Sequence, residues 1–386
     1  MSATNPSLRV RILGRDALES LRGPWTALWL ELPAATPFNS WEWTAAWLAT
    51  LGKGIDARFV LLESGDRLRG ILPLADARRG GLGFVAPRTL RYCGVDLAYP
   101  DQLEPVCDPA ELPAFLELAL RAVFRENGLP STLSLPMVAE DSPTQAALGA
   151  LRAFRTASRA VSLAPYLPIA GTFEEFLGTL SSNERYKIRS RSKKLLTGKG
   201  AEYGPVPDLA PVQALQLLRT LHAKRSEQKG IESTFDTDAV QDFHAELLRI
   251  FPRERVVFRC LRKDGEIFAM FYGFVVANRL FYFQLGYDPK WSDSSPGLVL
   301  LSQTIRETFE IGCREYNFLQ GNEPFKATWT KAARPLHDWT IYAPTLNGRL
   351  HRELDSAARV ARHSLARFRR LKADDKGQVQ GVAAHG

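Results

Sequence analysis

Apolar residues recur at helical spacing through Asp16–Leu32. T-P-F-N-S then sets a proline break and an N-cap before W-E-W-T-A-A-W-L-A-T-L, which predicts a second helix ending at Gly52. Two β-rich runs flank Ser64-Gly65-Asp66 and predict a hairpin. After a stretch broken by Pro87, Pro100, Pro105 and Pro109, helical periodicity returns over Leu112–Asn127, and S-T-L-S-L-P-M reads as a strand. The second half repeats this order. A helix from about Thr172 runs into a basic stretch, helices cover Pro211–Gln228 and Asp238–Phe251, and three strands follow as a meander with a Lys263-Asp264-Gly265 turn. The two hairpins share one layout about 200 residues apart, so a duplicated domain is a plausible reading. L-V-L-L-S-Q-T-I-R-E-T-F-E-I-G is a helix between the strands F-Y-F-Q-L-G-Y and R-E-Y-N-F-L-Q-G, a unit that normally joins parallel strands. The expected class is α/β with a mixed sheet.

From Gly348 the pattern changes. Leu354, Ala358, Ala361, Leu365 and Phe368 form an apolar stripe flanked by Arg359, Arg362, Arg367, Arg369, Arg370 and Lys372, which predicts a basic amphipathic helix. The small, polar residues after it are expected to be disordered.

The chain has 386 residues, too long for one ordinary core, and its 45% hydrophobic and 24% charged content excludes wholly disordered, collagen-like and disulfide-scaffold classes. The net charge of +8 has to be located before it informs. Seven Lys/Arg against Glu184 lie between Asn183 and Lys199, and the C-terminal stripe adds a second cluster. Cys93, Cys107, Cys260 and Cys313 are widely spaced, as unpaired thiols of a reducing compartment would be. The interrupted apolar run Trp25–Leu32 does not read as a signal peptide, and no apolar run is long enough to span a bilayer. A cytoplasmic location is expected, with peripheral contact at the inner membrane face as a further option.

G-x-S-x-G, H-E-x-x-H, C-x-x-C and P-loop motifs are absent, and the six histidines share no ligand spacing, so no metal is expected. Gly81-Leu82-Gly83-Phe84-Val85-Ala86 fits G-x-G-x-x-A, yet Pro87 follows at once, and a plain glycine loop is the better reading. The main signal is S-D-S-S-P-G-L-V-L-L. Small residues and Gly297 at a helix start leave free N–H groups for a phosphate, although Ser295 and Pro296 also make an ordinary helix cap. The second signal, N-F-L-Q-G-N-E-P-F-K-A-T-W, delivers Gln320, Asn322, Glu323, Lys326 and Trp329 beside the same opening, or is simply a turn with a solvated lysine.

S-S-N-E-R-Y-K-I-R-S-R-S-K-K-L, G-Y-D-P-K-W, S-P-G and G-N-E-P-F-K resemble the GNAT-fold acyltransferases of the CelD-like or BioF2-like group. The resemblance covers about Thr172–Thr330 and, more loosely, the first half. It implies tandem GNAT-like domains: residues 1–165 without a cofactor of their own, residues 166–345 with an acyl-CoA or acetyl-CoA site, and 346–386 as basic helix and tail. It also implies pyrophosphate on the helix starting at Gly297, with Gln284, Leu285, Gly286, Ser294, Ser295, Gly297 and Leu298 around the donor. Fem-type peptidyltransferases are similar relatives that use a Phe-Lys pair, here Phe325-Lys326. The family usually shows Asp, Arg, Asp and Tyr where this chain has Asn317, Gln320, Asn322 and Phe325.

Direct acyl transfer to an amine needs a base, an oxyanion held by N–H groups and a proton for the thiolate. Glu323 is the candidate base, Tyr287 the acid, His222 the reserve base, and Gln320, Asn322 and Trp329 the acceptor contacts. The expected function is N-acylation of a sugar nucleotide, amino acid or envelope or exopolysaccharide precursor. Transfer from aminoacyl-tRNA and a noncatalytic scaffold are the rivals. For the basic runs a solvated face competes with an anionic partner. A membrane surface or glycan precursor fits better than DNA, because no nucleic-acid-binding motif is present.

Overall fold

The computed structural model describes residues 8–77, 88–125, 130–207 and 209–357. The G-x-G-x-x-A run, the end of the helix expected to Asn127, and the apolar and basic stripe from Ala358 onward lie outside the described residues.

The first half runs β1 (Leu8–Gly14), α1 (Leu18–Glu31), α2 (Trp41–Ala49), β2 (Ala57–Ser64), β3 (Arg67–Ala77), β4 (Thr89–Tyr92), β5 (Val106–Cys107), α3 (Leu112–Val123), β6 (Thr132–Ala139), α4 (Pro143–Ala150) and β7 (Arg155–Pro168). The second runs α5 (Phe173–Thr179), α6 (Ser182–Ser192), β8 (Glu202–Pro205), α7 (Pro211–Lys229), α8 (Asp238–Ile250), β9 (Val256–Lys263), β10 (Glu266–Val276), β11 (Arg279–Tyr287), α9 (Pro296–Glu310), β12 (Glu315–Asn317) and β13 (Ala333–Tyr342). Local signals account for many boundaries. Ser40 caps α2 through the Trp43 N–H, Thr172 and Ser181 close capping boxes on α5 and α6, and Asp264 and Gly265 both take positive φ in the β9–β10 turn.

The strands form one mixed sheet in the order β1-β2-β3-β4-β6-β13-β7-β12-β11-β10-β9-β8, with β5 paired to β3. Read inward from either end, the order repeats. Four antiparallel strands lead to a parallel pair, β4 with β6 on one side and β11 with β12 on the other, followed by a long antiparallel strand. The two long strands are exchanged: β13, last in sequence, lies on β6 of the first half, and β7 lies on β12 of the second. They pair with each other from Ala333↔Pro165 to Tyr342↔Arg155. The expected boundary between residues 165 and 166 thus falls inside β7.

The halves also share a core. α2 is buried nearly all round, and Trp43 meets Phe243 of α8 edge-on at 4.9 Å. The W-E-W-T-A-A-W run is therefore the packing seam between the halves. The four cysteines are free and buried.

Candidate functional site

The parallel ladder between β11 and β12 is short, from Arg279↔Glu315 to Phe281↔Asn317. Beyond Phe281 the strands part, and Tyr282–Tyr287 of β11 lose their parallel neighbour while staying paired to β10. Ligands bind where parallel strands diverge in this way. The Leu285 N–H points out of the β10–β11 ladder and donates to the Gln284 side-chain oxygen at 2.9 Å. An amide carbonyl thus sits on the N–H that a reacting carbonyl would need.

One wall of the opening is the start of α9. Ser295 takes the expected N-cap position with φ 53, its carbonyl accepting from the Val299 N–H at 3.1 Å, but its side chain makes no cap bond. Pro296 takes the first helical position, and an α-carbon hydrogen of Gly297 faces the Tyr287 ring: a Cβ there would lie 3.4 Å from Tyr287 Cε1 and 3.6 Å from Leu285 Cδ2. Leu298 follows in the first turn, partly buried. Ser294 is buried and accepts from Lys199 Nζ at 2.8 Å, and Arg191 donates to the Asp293 carbonyl at 2.9 Å. The basic run of α6 is therefore carried to this helix terminus, where the dipole and both cations favour an anion.

The other wall is the turn after β12. Leu319 at φ 56 and Gly321 at φ 118 curl the backbone so that two carbonyls meet Lys326 Nζ, Gln320 O at 2.7 Å and Leu319 O at 3.2 Å. Glu323 Oε2 completes the set at 2.8 Å. Lys326 is buried, and burial holds its pKa below the usual lysine value although Glu323 and Asp101 pull it up. Asp101 comes from the loop between β4 and β5 of the first half. It has no exposed surface, and among the described residues neither oxygen meets a donor at bonding geometry. Burial raises its pKa to about 7, drawn back in part by the nearby Gln320 and Gln102 groups and by Lys326. Gln320 reaches the same loop, donating to the Pro100 carbonyl at 3.3 Å.

A third contributor is Arg225 of α7. It donates to the Leu285 carbonyl at 3.4 Å, lies 5.7 Å over the Tyr287 ring, and leaves its buried Nε without a partner among the described residues. Tyr282, the first β11 residue past the ladder, packs edge-on against Phe325 at 6.1 Å.

Several expected site residues have other work. Gly286 lets α7 approach: a Cβ would stand 2.5 Å from the His222 backbone nitrogen, so close helix packing by itself accounts for a glycine at this position. His222 is buried with Nδ1 at 3.0 Å from both Asp236 oxygens. Burial lowers its pKa against the opposing pull of Asp236, and the pair explains this histidine structurally. Trp329 is buried in the core of the second half, away from the exposed rim where Asn322 lies. Asn322 is exposed at the rim. Asn317 is fully buried, donating to Glu315 Oε1 and accepting from the Leu319 N–H, each at 2.9 Å, so its difference from the family's aspartate lies in the turn's scaffold. Asp101 and Arg225 escaped the sequence reading, because an acid in a proline-rich loop and a basic residue on a polar helix carry no spacing signal.

The acetyltransferase (GNAT) domain family model matches residues 182–327, which span both walls. In fold, the chain is similar to FemX, with TM-score 0.62 and 12% identity over 86% of this chain and 97% of that one. It is also similar to a conserved protein of unknown function from Bacteroides thetaiotaomicron, with TM-score 0.52 and 14% identity over 86% and 100%. A third similar fold is the C-terminal domain of a protein named as a lysylphosphatidylglycerol synthetase from Agrobacterium fabrum, with TM-score 0.52 and 11% identity over 86% and 95%. No curated protein sequence matches the chain. Residues 182–327 thus match an acetyltransferase (GNAT) domain model, and the chain shares its fold with these structures.

Proposed function

We propose that the protein is an N-acyltransferase moving an acyl or acetyl group from a coenzyme A thioester to the amine of a sugar nucleotide, amino acid or envelope precursor. The observation that carries this reading is the parting of β11 from β12, with the Leu285 N–H in the gap, an anion-favouring helix start on one wall and the Glu323–Lys326 pair on the other. The diphosphate suits the start of α9 with Lys199 and Arg191. The thioester carbonyl takes the Leu285 N–H after Gln284 turns aside. Attack by the amine forms the C–N bond, the C–S bond breaks, and the ammonium proton passes to Glu323, whose exposed carboxylate is oriented by Lys326. Tyr287 stands beside Gly297 as the donor-side hydroxyl for the departing thiolate. Asp101 acts through Lys326 as a positioning residue, favouring the charged form of that buried amine once its own carboxyl ionises above about pH 7.

The test is a thermal-shift series with acetyl- and longer acyl-CoAs, where a ligand at about 100 times its Kd stabilises by about 2.7 kcal/mol. A second reading, transfer from aminoacyl-tRNA, is favoured by α6: Tyr186 is 72% exposed among exposed Lys187, Arg189, Lys193 and Lys194, a face suited to phosphates and an unpaired base beside the same opening. No shift with any CoA would turn the assignment to that donor.

A further inference from the structure

Two consecutive residues of β11 mark the two sides of the opening. Gly286 faces α7, where an added Cβ would meet the His222 backbone, and Tyr287 faces Gly297 of α9. Neighbouring strand residues point to opposite faces, so the two helices flank the gap from opposite sides of the sheet. The start of α9, with Lys199 and Arg191, is the donor side. The α7 side is left for the acceptor, and from it α7 sends Arg225 to the reacting edge. A strand residue's N–H and C=O point to the same edge. The Leu285 N–H lies in the gap and the Leu285 carbonyl accepts from Arg225 at 3.4 Å, so the guanidinium stands where the amine attacks.

That guanidinium has no counter-ion. Among the described residues Arg225 forms no ion pair and its buried Nε meets no acceptor, whereas Arg219 and Lys224 of the same helix pair with Asp238 and Asp288 at 2.7 Å each. Lys229, one turn on, is exposed, and partial desolvation followed by the Arg225 charge holds its pKa below the usual lysine value. Two cations that repel each other, with no acid paired to either, favour an anion. The span from that anion to the amine narrows the chemistry. Burial pushes the Tyr282 hydroxyl up to about 12, Arg225 draws it back and Glu323 raises it further, so the cation and the candidate base act beside one ring. A carboxylate at Arg225 and an amine at Glu323 are thus a short molecule's length apart. An amino acid has that layout, and its carboxylate matches the planar fork of an arginine. In a sugar nucleotide the sugar ring separates the amino group from the diphosphate.

We infer that Arg225, seconded by Lys229, binds the carboxylate of the acceptor, and that the acceptor is a free amino acid. This rests on the acyl-CoA reading above and narrows it. The amine forms the C–N bond, the C–S bond breaks, the ammonium proton passes to Glu323, and the products are an N-acyl amino acid and free coenzyme A.

The test measures thiol release by the full chain from whichever of acetyl- and longer acyl-CoAs raises its melting temperature most. The acceptors are each common amino acid, the matching amino-acid amides, and glucosamine with its 1-phosphate. At least one amino acid should be acylated, with kcat/KM about 10- to 100-fold above that of its amide. Arg225→Gln should raise KM for that amino acid by a similar factor, with kcat and the KM of the amide little changed and the thermal shift with acyl-CoA kept. Arg225→Lys should recover part of the affinity. Lys229→Gln, at an exposed position, is the second variant and should raise the same KM about two- to fivefold. The proposal is overturned if the amides are used as well as the acids, if only the amino sugar or its phosphate is used, or if Arg225→Gln loses kcat on acid and amide alike. Wild type that shifts with acyl-CoA yet acylates no amino acid overturns it and spares the donor. Wild type that neither shifts nor releases thiol overturns the acyl-CoA reading and this inference with it.

Discussion

Lys326 and Glu323 form a 2.8 Å ion pair in which the lysine side chain is 4% exposed and the glutamate 54%. The ammonium is a fixed interior charge, and the carboxylate is the half of the pair that an incoming amine can reach. Glu323→Gln should therefore lower turnover by roughly 10²- to 10⁴-fold with donor affinity little changed. It also removes a charge that holds the Lys326 pKa up, so any residual activity should lose its alkaline limb at lower pH than wild type. Wild-type turnover in this variant would move the proton to another acceptor.

Asp101 gives a stability prediction whose sign differs from that of most acids. Its pKa of about 7 lies above the ordinary 3.8, so the folded state keeps a proton that the unfolded chain has released. Stability is then lost as pH rises from about 4 to about 7. Glu104, also near 7 by burial, acts in the same direction. Asp101→Asn should flatten this decline and melt no lower than wild type at about pH 8, while shifting the pH profile of turnover through Lys326. Thermal melts across that range decide it, and an unchanged slope would refute the assignment.

Gly297→Glu should abolish CoA binding in a calorimetric titration while leaving cooperative unfolding intact. The Cβ meets only ordinary contacts at 3.4 Å and beyond, so the effect would come from a carboxylate placed where the proposal puts the diphosphate. Unchanged affinity would remove the donor from the start of α9.

Gly286→Ala should act on the fold instead. Its Cβ would press on the His222 backbone at 2.5 Å, which a helix cannot relieve by turning a side chain. A loss of about 1–3 kcal/mol in denaturant unfolding is expected. An alanine variant as stable as wild type but defective in CoA binding would restore Gly286 to the donor site.

The sequence revealed the helices and hairpins well where one face is buried and turn residues bound it: both duplicated hairpins, α7, α8 and the β11–α9–β12 unit. It concealed β7, whose residues are mostly exposed or half-buried over its length, because such a strand lacks the alternation that marks one wet and one dry face. β13, β1 and the four-residue β8 were hidden in the same way, since their partners lie far along the chain. Gly297 at the start of α9 and the Glu323–Lys326 turn were legible as motifs. Asp101 was not, because its significance comes from burial beside Lys326, more than 200 residues away.

The exchange of β7 and β13 has a kinetic meaning. As the chain emerges, β1 through β6 can form a sheet, but its β6 edge stays open until residues 333–342 arrive, and β7 meanwhile waits for β12. Each half is thus finished by the other's closing strand, and such distant pairings form slowly. The nascent protein carries an unprotected edge through about half of its synthesis, from the completion of β6 to the arrival of β13, which makes its yield sensitive to folding helpers and to truncation. Cutting the chain at the centre of its repeat would leave two fragments, each with an unpaired strand to offer to a neighbour.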